Sequence, residues 1–384
     1  MKHIKGFKNA RILTEGGIAR TNLLIQNGII TKLGDFDCDG LEELSEDKIV
    51  IPAFIDQHIH GADGADAIDG TAEALGKVSK ALAREGTAAY LATTTTESAK
   101  CIVKALEAVK AYIEKAPAEG AGILGVHLEG PFISKSFLGA QLPEFAVAPD
   151  VETFKSYETA SGNNIRLVSF AVEEAGGSEL CAYLVSQGIV ASIGHSAAAY
   201  EDIEKAITQG ASSVTHTYNA QRPLHHREVG VVGSAMLFDE LYCEVICDGI
   251  HLSPPAVRLL HRNKPRDKFI LITDSLRAKY LPDGVYPEPG GQEVTVKNGE
   301  ARLEDGTLAG STLKMNKAVK NAMKFLGVGL EEAVRYATEN PAKNLGVFDR
   351  MGSIAEGKLA NLTVIDSDIN VYQTVRKGIC IYEK

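Results

Sequence analysis

Two histidines near the start of the chain are spaced so that they could bind one metal ion. His58 and His60 lie within residues 54–61, which we predict to be the end of a β-strand and the turn after it. Alternate residues of a strand point to the same face, so the two imidazole rings would lie side by side. Imidazole binds zinc, iron, nickel and copper, so the pair does not choose the metal, and two histidines in a surface loop are the alternative.

A carboxylate and two further histidines extend this ligand set. Glu129, His195 and His216 each follow a predicted strand, and together they offer the nitrogen and oxygen ligands of a catalytic metal that keeps one position open for water. Such a metal lowers the pKa of bound water and polarises a carbonyl oxygen. With Glu129 as a bridge, His58 and His60 could hold a second ion. We therefore expect one or two divalent ions, zinc or iron.

An aspartate after the last predicted strand could carry a proton during the reaction. Asp274 would lie beside the metal, take a proton from water and pass it to a leaving nitrogen, acting as base and then as acid. His127 lies two residues before Glu129 and shares its predicted face. For His127, a supporting or packing role is favoured over metal ligation.

Alternating strands and helices must bring these residues together. Strands are predicted at residues 50–57, 87–93, 122–127, 166–171, 190–194, 213–216, 242–247 and 269–273. Helices are predicted around Leu75 to Leu82, with Gly86 as the glycine just after its end, and at residues 97–114, 179–187, 199–208 and 255–262. Eight strands with intervening helices indicate a (β/α)8 barrel, whose active sites lie at the carboxyl ends of the strands, and an open doubly wound sheet is the alternative.

The two ends of the chain follow a different pattern. Residues 3–49 alternate apolar and polar positions around an Asn27-Gly28 turn signal, and residues 362–365 and 379–382 are strand candidates. Neither end could bury much core alone. We predict that residues 1–50 and 347–384 form one small discontinuous β domain, and that residues 51–346 form the catalytic barrel.

A long segment after the last barrel strand is predicted to cover the catalytic face. Residues 275–311 are long for a loop, but residues 293–296 and 301–303 flank an Asn298-Gly299 turn signal and read as a hairpin. This segment could serve as a lid.

Composition excludes several classes of protein. The 384 residues are 45% hydrophobic and 23% charged, as is usual for a globular protein with a large core. The net charge of −10 argues against nucleic acid or an anionic membrane as the main partner. No signal peptide or apolar span is recognisable, so we expect a cytoplasmic protein whose six cysteines are reduced thiols.

A basic cluster follows His216 and could bind an anion. Arg227, with His225, His226 and nearby backbone amides, could hold a group such as phosphate. A surface ion pair of Arg227 with Glu228 or another carboxylate is the alternative.

These motifs resemble the amidohydrolase superfamily and, within it, the N-acetylglucosamine-6-phosphate deacetylases. The resemblance runs nearly end to end and is carried by residues 52–61, 127–131, 194–196, 219–228, 248–251, 273–274 and 308–311. It implies a metal-dependent (β/α)8 barrel with a small β-sandwich domain, usually as a homodimer. It also implies hydrolysis of the acetamide of N-acetylglucosamine 6-phosphate to glucosamine 6-phosphate and acetate.

The same resemblance implies a role for each site residue. Glu129, His195 and His216 would be the metal ligands, and Asp274 the general acid and base. The sugar phosphate would be bound by Asn219, Ala220, His251 and Arg227, with Arg227 reaching in from the partner subunit. Ala140 and the segment Leu308, Ala309, Gly310 would line the sugar pocket.

The chain departs from the family pattern at two positions near these motifs. Ser275 stands where alanine commonly follows the aspartate, and Gln221 stands where methionine is frequent. Both departures put the fine substrate preference in doubt and leave the catalytic residues intact. Glu129 stands where other relatives carry a carboxylated lysine, which disfavours the hydantoinase-like branch.

Two other functions are compatible with parts of the pattern. One keeps the metal but changes the substrate to another N-acetylhexosamine 6-phosphate or a cyclic amide. The other is an inert barrel that serves as a scaffold, against which the presence of Asp274 and every expected ligand weighs.

Overall fold

Alternating strands and helices fill most of the chain in a computed structural model, which describes residues 2–384. Its strands are β1 (Gly6–Thr14), β2 (Gly17–Gln26), β3 (Ile29–Gly34), β4 (Glu42–Glu43), β5 (Ile49–Pro52), β6 (Phe54–Ile59), β7 (Gly61–Ala62), β8 (Ala65–Asp66), β9 (Thr87–Thr93), β10 (Gly122–Glu129), β11 (Ile165–Phe170), β12 (Val190–Ile193), β13 (Ser213–Val214), β14 (Tyr242–Ile246), β15 (Phe269–Ile272), β16 (Gly284–Pro287), β17 (Glu293–Lys297), β18 (Glu300–Arg302), β19 (Leu362–Ile365), β20 (Val371–Arg376) and β21 (Ile379–Glu383). Its α-helices are α1 (Ala72–Ala83), α2 (Ala99–Lys115), α3 (Val151–Ala160), α4 (Gly177–Ser186), α5 (Tyr200–Thr208), α6 (Gly230–Leu237), α7 (Pro254–Arg262), α8 (Met315–Leu326), α9 (Leu330–Arg335) and α10 (Glu339–Asn344). Short 3-10 turns occur at Ala67–Asp69, Arg266–Lys268 and Pro289–Gly291.

Eight parallel strands form the barrel that the sequence predicts. They follow the chain order β6, β9, β10, β11, β12, β13, β14 and β15. At the closing seam, the Asp274 backbone N–H donates to the His58 carbonyl oxygen at 2.9 Å. Strands β9 and β15 are buried along their whole length, as expected where helices cover the outer face of a parallel sheet. The (β/α)8 barrel is confirmed, and the open doubly wound sheet is excluded by the order of the strands.

Helix α1 illustrates how the sequence builds one barrel unit. Thr71 caps its start by accepting from the Ala74 N–H at 3.2 Å, and Leu75 and Leu82 are buried against the barrel. The helix ends at Ala83, so Gly86 is not the residue just after its cap. Gly86 instead adopts φ +89° in close contact with Phe54, where a side chain would clash.

Two predicted strands have different bounds in the structure. The predicted strand at residues 50–57 is two strands, since β5 pairs in another sheet and Ala53 separates it from β6. The predicted strand at residues 213–216 stops after Val214, and the chain turns sharply at His216 with φ +29°. Both β5 and β6 are fully buried, so the break at Ala53 lies within one continuous buried stretch.

The two ends of the chain pair into a second sheet, as predicted. Its order is β21, β20, β19, β5, β1, β2, β3, with β4 beside β1. Strand β5 joins the amino-terminal strands to the carboxyl-terminal ones, because Ile51 pairs antiparallel with Thr363 of β19. Asn27 and Gly28 form the predicted hairpin turn with positive φ angles. The domain division at residues 50 and 347 stays a prediction, and β5 crosses the first of these positions.

The segment after the last barrel strand contains the predicted hairpin and one strand more. Strands β17 and β18 are antiparallel around Asn298 and Gly299, and β16 adds a third strand beside β17. Along residues 2–384, no helix combines the length and the apolar character needed to cross a membrane.

Candidate metal and substrate site

The barrel brings the predicted metal-binding side chains together at the carboxyl ends of its strands. Two groups each place their ligand atoms within 4.8 Å of one another. We call them the His58 group, with His60 and Asp274, and the Glu129 group, with His195 and His216. All but His60 are buried, and the His60 side chain is only 12% exposed. Residues far apart in the chain therefore form one buried site.

The Glu129 carboxylate lies between the two groups. Its Oε1 atom is 3.3 Å from His195 Nε2, 3.1 Å from His216 Nε2 and 3.4 Å from His58 Nε2. Its Oε2 atom is 3.2 Å from His60 Nε2. This is the position required of the bridging carboxylate that the sequence predicts.

Asp274 completes the His58 group from the other side. Its Oδ1 atom is 3.3 Å from His58 Nε2 and 3.1 Å from His60 Nε2. Asp274 is the second residue after the end of β15. Its backbone carbonyl oxygen accepts a hydrogen bond from the Ser311 N–H at 2.8 Å. The carboxylate thus faces both the histidines and the substrate cavity.

Three of these residues hold left-handed backbone conformations just after a strand. The φ angles are +47° at His195, +29° at His216 and +49° at Asp274. A non-glycine residue in this region costs about 1–3 kcal/mol when the surrounding structure imposes it. The sharp turn carries each side chain onto the rim of the barrel toward Glu129.

The donor atoms of the site fit a metal ion. His58 Nδ1 lies 3.0 Å from Glu244 Oε2, which leaves Nε2 directed at Glu129 and Asp274. That buried Nε2 atom has no hydrogen-bond partner within residues 2–384. Imidazole nitrogens and carboxylate oxygens that converge in this way form the ligand set of a catalytic zinc or iron site.

The electrostatics of the site also favour a cation. Burial opposes a charge on His58, but Asp274, Glu129 and Glu244 hold its pKa well above the usual value. Burial likewise opposes protonated His60, but bonds to Asp274 and Glu129 raise its pKa to about 10. Although burial alone would raise the pKa values of Glu129 and Asp274, the histidines lower both. A bound metal would take the place of these protons, so metal uptake should release protons.

Two residues that support Glu129 and His58 were not predicted. Gln141 donates from Nε2 to Glu129 Oε2 at 3.0 Å and accepts from the Thr95 hydroxyl and the Thr96 N–H, both at 2.8 Å. Glu244 is fully buried in β14 behind His58. Glu244 could have been found from the sequence, because it is an acidic residue inside the apolar run 242–247. No feature of the neighbouring sequence indicated a role for Gln141.

His127 has the supporting position that the sequence favours. It belongs to neither ligand group found in residues 2–384. Its Nε2 atom lies 2.7 Å from the Ser169 hydroxyl, and its Nδ1 atom lies 3.3 Å from the Thr93 hydroxyl. The His127 ring packs edge-on against His58, with centroids 4.5 Å apart.

A cavity of about 270 Å³ opens directly over these ligands. The predicted sugar-binding residues that line it are Ala140, Asn219, Ala220, His251, Leu308, Ala309 and Gly310. His251 is held by Asp248, whose Oδ2 atom lies 2.7 Å from His251 Nδ1. The sequence did not identify Asp66 and Glu288, two acidic residues that also line the cavity.

Arg227 is the predicted binding residue that the structure places elsewhere. It is exposed and does not line the cavity of its own chain. Its Nη1 atom lies 2.7 Å from His226 Nε2, while Glu228 lies 4.0 Å from Arg222 instead. The alternative ion pair between Arg227 and Glu228 is therefore absent from residues 2–384, and a role for Arg227 at the phosphate stays a prediction.

Comparisons with known proteins agree with this geometry. Residues 49–380 match the model of the Amidohydrolase family. An N-acetylglucosamine-6-phosphate deacetylase of Bacillus subtilis is 44% identical over 334 residues, covering 86% of this chain and 84% of the relative. An N-acetylgalactosamine-6-phosphate deacetylase of Escherichia coli O157:H7 is 34% identical over 98% of this chain and 99% of the relative.

A solved structure adds a substrate complex to these relatives. It is a mutant N-acetyl-D-glucosamine-6-phosphate deacetylase of Mycobacterium smegmatis in complex with N-acetyl-D-glucosamine-6-phosphate. It superposes with a TM-score of 0.92 at 28% identity, covering 99% of this chain and 100% of that chain.

Proposed function

The chain belongs to the amidohydrolase family, and we propose that it hydrolyses the acetamide of N-acetylglucosamine 6-phosphate to glucosamine 6-phosphate and acetate. The observation that carries this proposal is the cavity, which is lined by Glu129, His195, His216 and Asp274. The named activity of the Bacillus subtilis relative supplies the substrate class.

The family depends on a metal, and the six converging side chains are its candidate ligands. We assign Glu129, His195 and His216 to one ion, with His58, His60 and Asp274 as candidates for a second. We propose zinc or iron, in one or two equivalents. When bound, such an ion lowers the pKa of water and polarises the acetamide carbonyl oxygen.

Asp274 carries the proton through the reaction that we propose. Water adds its oxygen to the carbonyl carbon of the acetamide, and Asp274 takes the proton that water gives up. The carbon–nitrogen bond then breaks, and the same proton passes from Asp274 to the leaving nitrogen. Acetic acid and the free amine of glucosamine 6-phosphate form first, and transfer of the acid's proton to the amine gives acetate and the ammonium form, so atoms and charge balance.

The assay for this proposal measures acetate from a metal-loaded protein. Zinc-loaded and iron-loaded samples are incubated with N-acetylglucosamine 6-phosphate, and the Glu129→Gln variant serves as a control that keeps the size of the side chain. We expect acetate release by the parent protein only. Equal acetate release by the variant, or none by either metal form of the parent, would contradict the proposal.

A second substrate is a specific alternative, because one relative is an N-acetylgalactosamine-6-phosphate deacetylase. The two sugars differ in configuration at one hydroxyl, so kcat/KM for each decides between them. A preference for the galacto-epimer would replace the substrate and keep the chemistry. Equal rates with an unphosphorylated sugar would argue against a phosphate site.

We also propose that the chain acts as a homodimer in which Arg227 reaches the neighbouring cavity. The support is that Arg227 is exposed and lies outside its own cavity, although the resemblance assigns it to the sugar phosphate. A planar guanidinium suits bidentate contact with phosphate oxygens. Light scattering would give the mass in solution.

Mixing two inactive variants tests the contribution of Arg227 across the interface. In a mixed dimer of Arg227→Ala and Asp274→Asn, one cavity keeps its own Asp274 and receives Arg227 from its partner. We expect activity to reappear after the two variants are denatured and refolded together. If activity returns only when both residues are intact on one chain, Arg227 acts within its own subunit.

A further inference from the structure

We propose that Glu244 is a positioning residue that fixes the ring of His58 and the backbone of His216 at the same time. His58 belongs to one ligand group and His216 to the other. Glu244 would thus set the geometry of both halves of the metal site from behind. The inference rests on the metal site of the proposed function, but not on the identity of the sugar.

The contacts of Glu244 reach across the interior of the barrel. Its Oε2 atom lies 3.0 Å from His58 Nδ1 and accepts the His216 backbone N–H at 3.2 Å. Its Oε1 atom accepts from Gln57 Nε2 at 2.7 Å. Asn344 in turn donates to Gln57 Oε1 at 3.1 Å, so the carboxylate is held in a connected buried network.

The contact with His58 selects one form of the neutral imidazole. A carboxylate only accepts hydrogen bonds, so Nδ1 must carry the hydrogen and Nε2 must carry the lone pair. That lone pair points at the space between Glu129 Oε1, at 3.4 Å, and Asp274 Oδ1, at 3.3 Å. Glu244 therefore presents His58 in the form that can bind a metal.

The contact with His216 acts on the backbone rather than on the ring. His216 has φ +29°, a conformation that a non-glycine residue keeps only when other contacts impose it. Glu244 supplies two such contacts, since its side chain accepts the His216 N–H and its carbonyl oxygen accepts the Thr217 N–H at 2.8 Å. These bonds hold the turn that directs the His216 ring at Glu129.

The charge of Glu244 also needs a partner. Its side chain is fully buried, and the only ion pair that it forms within residues 2–384 is with His58. Glu129 and Asp274 likewise contact histidines and no lysine or arginine in this part of the chain. Three buried carboxylates around one centre are stable together when positive charge lies between them. Glu244 thus adds to the attraction for a cation.

The Glu244→Gln variant tests this role with zinc and no sugar. An amide nitrogen at the position of Oε2 would donate to His58 Nδ1 and favour hydrogen on Nε2, but it would lose the bond from the His216 N–H; an amide oxygen there would accept both bonds without the negative charge. In zinc-loaded protein with 15N-labelled histidine, we expect the Nδ1–H signal of His58 in the parent and its weakening or loss in the variant. Zinc affinity, measured by competition with a chelator, should fall about 10- to 100-fold.

Gln57→Leu is the matched control, because it removes a buried bond to Glu244 Oε1 and leaves the contact with His58. We expect this variant to keep the Nδ1–H signal and to bind zinc more tightly than Glu244→Gln does. If Glu244→Gln does not fold, Glu244→Asp withdraws the carboxylate from His58 by one methylene and should weaken zinc in the same direction.

Two outcomes would overturn the proposal. One is a Glu244→Gln variant that keeps both the His58 Nδ1–H signal and the parent affinity for zinc. The other is a Gln57→Leu variant that loses zinc as strongly as Glu244→Gln, which would indicate a merely structural network. Because no substrate is present, failure of the proposed deacetylation leaves both measurements interpretable.

Discussion

Asp274 combines a buried carboxylate, contacts with two histidines and a left-handed backbone immediately after a barrel strand. The Asn side chain has the same shape and tolerates this backbone region, but an amide cannot take a proton from water. In the Asp274→Asn variant we expect kcat for acetate release to fall about 10²- to 10⁴-fold, with little change in KM. An unchanged circular dichroism spectrum would be the control for folding. A variant that retains most of its kcat would remove Asp274 from proton transfer.

At the scale of single residues, the sequence predicted the candidate metal ligands better than the residues that hydrogen-bond to those ligands. His58, His60, Glu129, His195, His216 and Asp274 all reach the site. Each stands at a strand end, where chain position and chemistry can be read together. Gln141 and Glu244 contact Glu129 and His58 from other elements of the fold, so these supporting contacts cannot be read from the sequence.

At the scale of elements, a buried ion pair ties the segment after Asp274 to the barrel. Lys279 Nζ lies 2.7 Å from Glu85 Oε1, and both side chains are fully buried. Glu85 also accepts the Met315 N–H at the start of α8 at 3.1 Å. The pair therefore joins the end of the α1 unit to the segment that follows Asp274.

Removing only one charge of this pair should be costly. Lys279→Met leaves the Glu85 carboxylate buried without its counter-charge, and we expect the free energy of unfolding in urea to fall by about 3–5 kcal/mol. The double variant Lys279→Met with Glu85→Gln removes both charges and keeps an acceptor for the Met315 N–H. It should be more stable than the single variant. A double variant that is less stable would show that the charge itself is not the cause.

A carboxylate in the segment after the last barrel strand should make stability depend on pH. Burial, followed by the nearby Asp66 carboxylate, raises the pKa of Glu288 to about 8. Between about pH 4.5 and 8 the folded chain then binds more protons at Glu288 than the unfolded chain does. Its contribution to stability therefore falls as pH rises through this range.

The Glu288→Gln variant should lose this part of the pH dependence. We expect the melting temperature of the variant minus that of the parent protein to be larger at pH 8 than at pH 5. Melting curves of both proteins at several pH values give the comparison. Parallel curves across the whole range would mean that Glu288 titrates alike in the folded and unfolded chains.

At the scale of the whole molecule, the metal ligands come from five different barrel strands or the residues that follow them. An ion that binds only the folded chain stabilises it, by about 2.7 kcal/mol at a concentration one hundred times Kd. We expect a chelator to lower the melting temperature and zinc to restore it. The Glu129→Gln variant should lose most of the zinc effect, and an equal zinc effect in that variant would place the stabilising ion elsewhere.

The overall architecture was predictable because most barrel strands are short apolar runs and several are followed by an amphipathic helix. The pairing of the two chain ends was also predictable, since neither end could bury a core alone. The break at Ala53 was not, because β5 and β6 are both fully buried and only their different sheets separate them. Helices α3, α6, α8, α9 and α10 were not predicted either, and α6 is apolar on all sides, so it shows no helical periodicity.

The pairing of Ile51 with Thr363 has a consequence for how the chain is made. A ribosome adds about 5–20 residues per second, so β5 waits on the order of tens of seconds for its neighbour β19 to emerge. By the end of that time the nascent chain carries every candidate metal ligand, since Asp274 precedes β19. A product that stops between residues 274 and 362 would contain the complete set together with an unpaired, apolar strand edge, which is a template for aggregation. Metal capture alone would therefore not report that synthesis is finished, whereas the uncovered β5 edge would distinguish the unfinished chain.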